Sequence, residues 1–498
     1  GCVLCEPGEG ACDGDVLTLC TDDGMGYEEE TCDGVQGVMC DPDLGKCVGA
    51  CAPDTLGLSY IGCDYYPTVT ANVVGTNFDF SVIVSNTSND TANVRIDQGN
   101  NEVYTGTVNA GQVEVINLPW QNQLKASQNA NSLMAADGAF RLRSDQPVTV
   151  YQYNPLQYNK NGFSFTNDAS LLLPVNTWTG DYFVAGRNSW LFSGSTWYPG
   201  LYAVTASEDG TTVTVDPSAT GGTVRAGGGI AADGTGQVTL NQGDVLEVFS
   251  ANVGSNPSPS DLTGTHITAD KPIQVIGGAM CTFIPHNIGY CDHIEEAIPP
   301  YETLADTYIV TPPLIPTNPN QPKAEMIRII ATEANTTLTY DPPQGGAPAN
   351  IANAGDYVEI AQNDEDFEIS ASAKVIVAQY MLGQDAGGNS GDPAMTLAVA
   401  TEQFRKDYLF HAPTNYEYNY VNIIAPDGAT VTLDGNNVNA FASIGGTGYG
   451  VARLPLSNEG DGTHEIIADV EIGISVYGYG QYTSYWYPGG LDLKLIAQ

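Results

Sequence analysis

Positive charge is scarce in this 498-residue sequence: 16 lysines and arginines stand against 58 aspartates and glutamates, a formal net charge of −42 at pH 7. A surface this acidic repels phosphate backbones and anionic headgroups, which excludes nucleic acid as a partner and argues against binding to anionic membrane. Apolar runs are short, and none approaches the roughly 20 residues that span a bilayer, so no membrane insertion is expected. The chain opens at Gly1 without a leader-like segment, as a mature or trimmed product would. Helical periodicity is almost missing; only pieces such as Thr401 to Asp407 suit a turn or two. Histidines number five, and the sequence has no Gly-x-Ser-x-Gly elbow, no phosphate-cradling Gly-x-x-x-x-Gly-Lys loop and no His-Glu-x-x-His zinc helix. His464-Glu465 lacks the second histidine. The chain is therefore expected not to be an enzyme; a glycoside hydrolase's carboxylate pair is the one class that abundant acids leave open.

Cysteine is rare except at one end. Nine of the eleven lie between Cys2 and Cys63, and the other two are Cys281 and Cys291. A dense cluster among Gly/Asp turns, with few large apolar residues, implies a small module stapled by disulfides in an oxidising compartment, and so a secreted or cell-surface protein. The Cys2-x-x-Cys5 opening has a zinc reading as well, though the module has no histidine and no second such pair. With an odd count, Cys2 is open to lipidation, to an intermolecular disulfide or to an ordinary partner within the module.

What the sequence does have is repetition. FRLRSDQPVTVYQ from Phe140, THITADKPIQVIGG from Thr265, FEISASAKVIVAQ from Phe367 and HEIIADVEIGISV from His464 align on a polar step at Asp145, Asp270, Ser372 and Asp469. Alternating apolar residues on both sides of the step indicate strands. Ahead of each lies a segment that reads as a hairpin: FSVIVSNTSNDTANVRID, LYAVTASEDGTTVTVD, IRIIATEANTTLTYD and VNIIAPDGATVTLD, with Asp209-Gly210 and Asp427-Gly428 at turns that need positive φ. Their second strands end at Asp97, Asp216, Asp341 and Asp434, which suit either turn caps or calcium. Lead-in strands DYFVAG, DTYIVTP and KDYLFHAP open units two to four. The expected fold is all-β: a disulfide-rich module over 1–58, then four tandem β-sandwich-like repeats over 59–160, 161–286, 287–386 and 387–498, packed as one body, with a β-propeller as the alternative.

The most chemically loaded stretch is CTFIPHNIGYCDHIEEAIPP from Cys281. His286, His293, Glu295 and Glu296 are metal-ligating types, and two cysteines with two histidines suit zinc; the competing reading is a Cys281–Cys291 disulfide closing a short loop. The run Cys291-Asp292-His293-Ile294-Glu295-Glu296-Ala297-Ile298-Pro299-Pro300, with Tyr308 following in a strand, resembles the Cys-Asp-His-Leu-x-Glu-Gln-x-Pro-Pro signature of the IgGFc-binding protein N-terminal domain family. It departs from it at Ala297, where the family carries glutamine. The resemblance takes in roughly Ser59 to the C-terminus, and the cysteine module followed by SYIGCDYYPT resembles the family's bacterial exported branch. It implies extracellular binding or adhesion; a fold hosts many functions, so it does not imply antibody binding here.

Two aromatic segments are the candidate ligand-binding surfaces: Trp190, Trp197 and Tyr198 in SWLFSGSTWYPG, and Tyr485, Trp486 and Tyr487 in YGYGQYTSYWYPGG. Flat rings beside glycine turns suit sugar stacking or protein contact, and equally suit cores between β units. Asn86, Asn89 and Asn335 carry the N-glycosylation pattern. The reading is a non-enzymatic extracellular protein acting by adhesion or self-assembly as a fibre or matrix subunit. Its partners are copies of itself or an extracellular protein or glycan, and no cofactor is required beyond an open place for calcium. The C-terminal LDLKLIAQ reads as a strand that completes its own unit or pairs with a neighbour's edge.

Overall fold

The computed structural model describes residues 3–497, so the readings made for Cys2 lie outside the described residues. The chain is nearly all β. The N-terminal module holds two small sheets, Gly10–Asp13 with Val16–Cys20 and Tyr27–Thr31, and Met39–Asp41 with Lys46–Val48. Leu17 and Val38 are almost its only buried aliphatics, and disulfides Cys5–Cys20, Cys12–Cys40 and Cys32–Cys47 stand in for a core. The fourth, Cys51–Cys63, crosses the expected boundary at residue 58 and ties the module to the first strand of the next unit.

Four units follow, each organised by one long strand that turns a corner: Arg141–Tyr153, His266–Thr282, the pair Phe367–Ala371 and Val375–Met381, and Thr463–Gly480. The polar step is that corner. Before it, the strand pairs in an outer layer with a lead-in strand (Gly62–Tyr65, Thr179–Phe183, Thr307–Val310, Arg405–His411); after it, the strand pairs in an inner layer with a closing strand (Ala169–Leu171, Asp292–Ala297, Met395–Leu397, Thr483–Pro488). A strand shared by two layers at a bend is how sheets of a sandwich are joined at a corner. Each unit is thus a two-layer body, and the propeller alternative, with more than one blade to a unit, is not shown.

The step residues hold the corner. Asp145, Asp270, Ser372 and Asp469 accept hydrogen bonds from the backbone N–H groups of Asn93, Thr212, Thr337 and Thr430 at 2.7, 2.7, 2.9 and 2.9 Å. A second device recurs on the lead-in strands: the hydroxyls of Tyr65, Tyr182, Tyr308 and Tyr408 donate to the carbonyls of Val148, Ile273, Val375 and Ile472, just past the step. Unit one therefore has a lead-in strand too, in GCDY, where sequence reading saw it only in units two to four.

The segments read as hairpins are not hairpins. Phe80–Asn86 and Ala92–Gln98 do not pair with each other; the first pairs with the inner half of the corner strand and the second with its outer half, and the other units repeat this. Gly210 and Gly428 do take positive φ, 68° and 86°, but their turns arch between layers. Burial follows. Inner strands such as Phe80–Asn86, Gly200–Ala206 and Glu325–Ala331 are buried at every residue, whereas Thr211–Asp216 alternates.

Closing strands also cross the expected boundaries at 160, 286 and 386, each belonging to the unit before it. They meet in the middle of the molecule: one packs on two and four, three on two and four, so the four surround a common axis and the units form a closed ring. The C-terminal segment completes the ring inside the chain: Tyr60 N–H donates to Leu491 and Leu493 N–H to Leu58, while Asp492 N–H donates to Gln403 and Ile496 N–H to Glu302.

Candidate functional site

Family-signature residues sit on the second closing strand, at the axis. Asp292, His293, Glu295 and Glu296 are each no more than 1% exposed, as are Asp168 on the approach to the first closing strand and Glu247 beside them. Asp168 is the hub. Its Oδ1 accepts from the N–H groups of Ala169 (2.9 Å) and Trp486 (3.3 Å), and its Oδ2 from Met395 (3.1 Å) and Glu295 (3.2 Å). These four amides are equivalent. Each lies three residues before one (Leu172, Ile298, Ala398, Gly489) whose N–H returns to the corner strand at Val150, Val275, Val377 or Ile474. One carboxylate thus collects one N–H from every unit.

The other acids are held less completely, and one oxygen each of Glu296 and Glu247, the Oε2, has no hydrogen-bond partner among the described residues. Asp292 accepts from the Asn167 and His293 N–H groups and from the Thr483 hydroxyl, Glu296 from the Ser170 hydroxyl and Leu171 N–H, and Glu247 from Ala71 N–H. Burial dominates and raises the carboxyls of Asp168, Asp292, Glu296 and Glu247 well above their ordinary range, against the pull of these donors. Glu295 bonds Gln152 Nε2 (2.8 Å), Asn154 Nδ2 (3.2 Å), His293 Nε2 (3.2 Å) and the Thr70 hydroxyl. Ala297, at the position of the family's glutamine, donates its N–H to Ser170 Oγ at 2.8 Å.

Cys281 and Cys291 are joined in a disulfide, so neither thiol is free for zinc. Among the described residues no three His, Cys, Asp or Glu side chains gather as ligands of one metal ion. Of the four aspartates weighed for calcium, Asp97 is paired with Arg95 and Arg143, Asp341 accepts from Gly446 N–H, and Asp434 bonds His464 Nδ1 at 2.8 Å and Glu465 N–H. Asp216 lies opposite His266 in the sheet. Asn86, one of the sequon asparagines, is buried with its Nδ2 donating to the Asp90 and Val108 carbonyls.

One end of the ring is built from what the units do not share. The loops from corner strand to closing strand, 154–168, 283–291, 382–394 and 481–482, touch one another or the neighbouring unit. Tyr158 reaches Glu417, Phe163 and Phe165 pack on Tyr482 at 5.6 and 5.5 Å, Gly383 N–H donates to Ile284, and Asp392 N–H to Ser484 Oγ. Phe165 and Tyr290 on these loops, and Tyr418 at the start of the adjoining strand Tyr418–Pro426, are 52, 52 and 45% exposed. Beside them a groove of about 350 Å³ is lined by Gln384, Asn389, Glu417, Tyr418, Gln481 and Tyr482, among others.

The aromatic candidates separate. Tyr485, Trp486 and Tyr487 are 0% exposed and offer no ring face to a ligand. Tyr485 and Tyr487 pack against Tyr153 and Tyr151 at 5.9 and 4.8 Å where unit four meets unit one, and Trp486 lies in a core with Leu314, Tyr477 and Tyr479. Trp190 is buried with its ring 3.9 Å from that of Phe283, which carries the hairpin Trp190–Ser193/Thr196–Tyr198 against the disulfide loop. Trp197 and Tyr198 remain partly open, beside an exposed Phe192.

Asp168 and Arg328 were not singled out from the sequence. Arg328, 2% exposed, bonds Asp261 (3.0 Å) and Glu359 (2.8 Å) and lies 3.9 Å from the Tyr357 ring, joining units two and three. The signal for Asp168 was available in the repeats, since aligning the closing strands as well as the corners brings Ala169, Glu295, Met395 and Trp486 into register.

An all-β ring with a disulfide-stapled module and an aromatic loop face defines an extracellular-type binding scaffold. A family model described as IgGFc binding protein matches residues 168–478. With more than half of its length matched, the chain belongs to the IgGFc-binding protein family. The match is narrower than the resemblance read from the sequence, because most of unit one precedes it. The human IgGFc-binding protein is 26% identical over 275 residues, covering 52% of this chain and 5% of that protein, so the chain spans a small fraction of that relative's length. A solved biofilm-associated protein BSP domain aligns with 88% of this chain and 97% of its own at 6% identity and a TM-score of 0.13.

Proposed function

We propose that this is a non-enzymatic extracellular adhesin whose ligand docks on the loop end of the ring. The observation that carries this is the division of labour along the chain. The repeated parts (step, tyrosine latch, closing strand) are consumed in holding the ring, while the unrepeated loops converge at one end and expose aromatic rings beside carboxamides. Rings with Gln384, Asn389 and Gln481 suit stacking on a sugar face with hydrogen bonds to its hydroxyls. A net charge of −42 favours a neutral glycan over a sialylated or sulfated one. Trp197 and Tyr198, on the hairpin beside the disulfide loop, extend the same surface. Human IgGFc-binding protein is named for binding the Fc of IgG; for this chain the proposal is binding of an extracellular glycan.

The buried acids support a structural reading over a hydrolytic one, because no sugar can reach a carboxylate pair sealed at the axis. The C-terminal segment, read from the sequence as a strand, forms none over 491–497; it makes a single bridge from Asp492 to Ser59 and hydrogen bonds within its own chain, which supports adhesion over fibre assembly by strand exchange. A glycan array, read with the parent and with the Tyr418→Ala, Tyr482→Ala and Trp197→Ala variants, tests the proposal. Saturable binding to neutral glycans, weakened at least about tenfold by one or more of these changes, is expected. No binding, or binding that ignores all three, overturns it. Sizing with and without reductant tests assembly, for which a strict monomer in both is the expected result.

A further inference from the structure

Inside the axial cluster four groups are closer than a structural threonine requires. Thr70 Oγ1 touches Glu295 Oε2, lies 2.9 Å from Asn154 Nδ2 and is 3.4 Å from His293 Nε2. The same Glu295 oxygen is 3.2 Å from Asn154 Nδ2 and 3.2 Å from His293 Nε2. The side-chain oxygen of Asn154, Oδ1, lies 3.5 Å from Asn72 Nδ2, which also donates to the Asn154 main-chain carbonyl at 2.7 Å. Thr70, Asn154, His293 and Glu295 are all 0% exposed. A hydroxyl, a carboxamide and one carboxylate oxygen that reaches both the hydroxyl and the amide nitrogen are the parts of an acyl transfer, held in a site from which water is excluded.

We infer that Thr70 and Asn154 become joined by an intramolecular ester after folding. Glu295 takes the proton of Thr70 as Oγ1 attacks Cγ of Asn154, and the oxyanion that forms on Oδ1 is met by the Asn72 side-chain N–H. The Cγ–Nδ2 bond then breaks, Glu295 hands its proton to the leaving nitrogen, and ammonia departs. One O–H and one C–N bond are lost, one C–O and one N–H bond are made, and Glu295 ends as it began, with no oxidant or co-reactant needed. His293 acts as a positioning residue, its Nε2 holding the shared Glu295 oxygen between nucleophile and leaving group. The bond closes a span of 84 residues that encloses most of unit one, and burial protects the ester from hydrolysis. An adhesin under tension gains from a covalent tie at that place.

Intact-mass measurement of the purified full chain tests this directly. After the five disulfides are allowed for, the protein is expected to be lighter than its sequence by one ammonia. After reduction and digestion, the peptides holding Thr70 and Asn154 are expected as one linked species that hydroxylamine separates. Glu295→Gln and Thr70→Val are expected to restore the full mass, and Thr70→Ser to keep the deficit. A parent protein at full sequence mass overturns the inference whether or not any variant folds. So does an ammonia loss that maps elsewhere, for example to a succinimide at Asn161-Gly162.

Discussion

Asp168→Asn is the sharpest perturbation of the ring, because it changes almost no volume. Both carboxylate oxygens are acceptors, Oδ1 for Ala169 and Trp486 and Oδ2 for Glu295 and Met395. Whichever way an asparagine amide is turned, its NH2 faces two backbone N–H groups and leaves both unsatisfied in a site with no exposure. A buried donor stripped of its acceptor costs about 1–3 kcal/mol, so two predict a loss of about 2–6 kcal/mol. Urea unfolding of parent and variant measures it, and hydrogen exchange locates it: one pair of amides, Ala169 with Trp486 or Glu295 with Met395 according to which side the NH2 takes, is expected to lose protection together, although the two belong to different units. A variant within about 0.5 kcal/mol of the parent, with those amides still protected, would refute the claim that this carboxylate holds the four units together.

Other expectations follow from the same structure. Arg328→Ala strands the buried Asp261 without its ion-pair partner and is expected to destabilise by about 3–5 kcal/mol in urea unfolding. Burial holds the His411 imidazole down at about 3, from an ordinary 6.5. The unfolded chain therefore takes up this proton below pH 6.5 and the folded chain only near 3. The neutral ring's contribution is full above 6.5 and is lost as pH falls from 6.5 to 3, on the order of a few kcal/mol over the window. His411→Asn should flatten the stability–pH slope there, whatever its effect at neutral pH. Removing Cys51–Cys63 as a double serine variant opens a crosslink of 12 residues, worth about 2–3 kcal/mol; limited proteolysis should then release the module while the ring stays resistant. Asp270→Ala should raise exchange at the Thr212 amide and leave the other three corners unchanged.

Much of this fold was legible in the sequence. Period-two alternation marked strands, the Asp-Lys-Pro step marked a repeating register, and cysteine crowding marked the stapled module, because each is a local pattern with a local cause. Strand pairing was not legible. LYAVTASEDGTTVTVD has the alternation and turn chemistry of a hairpin, and only the corner strand, which pairs with both of its arms, makes it an arch between layers. Ring closure was hidden for the same reason. SYWYP suits a ligand surface and an inter-unit core equally until the first and third units are seen to cover it, and nothing within those residues announces their neighbours. The family signature did point to the candidate axial site, but Asp168, on which the site turns, looks like an ordinary loop aspartate in TNDAS.

The placement of the ligand is tested most directly by hydrogen-exchange footprinting of the chain with the best-bound glycan. Protection confined to the loops 154–168, 283–291, 382–394 and 481–482 and the Trp190–Tyr198 hairpin is the predicted result. Protection that falls on the N-terminal module or on the outer strands, with those loops unchanged, would contradict the account.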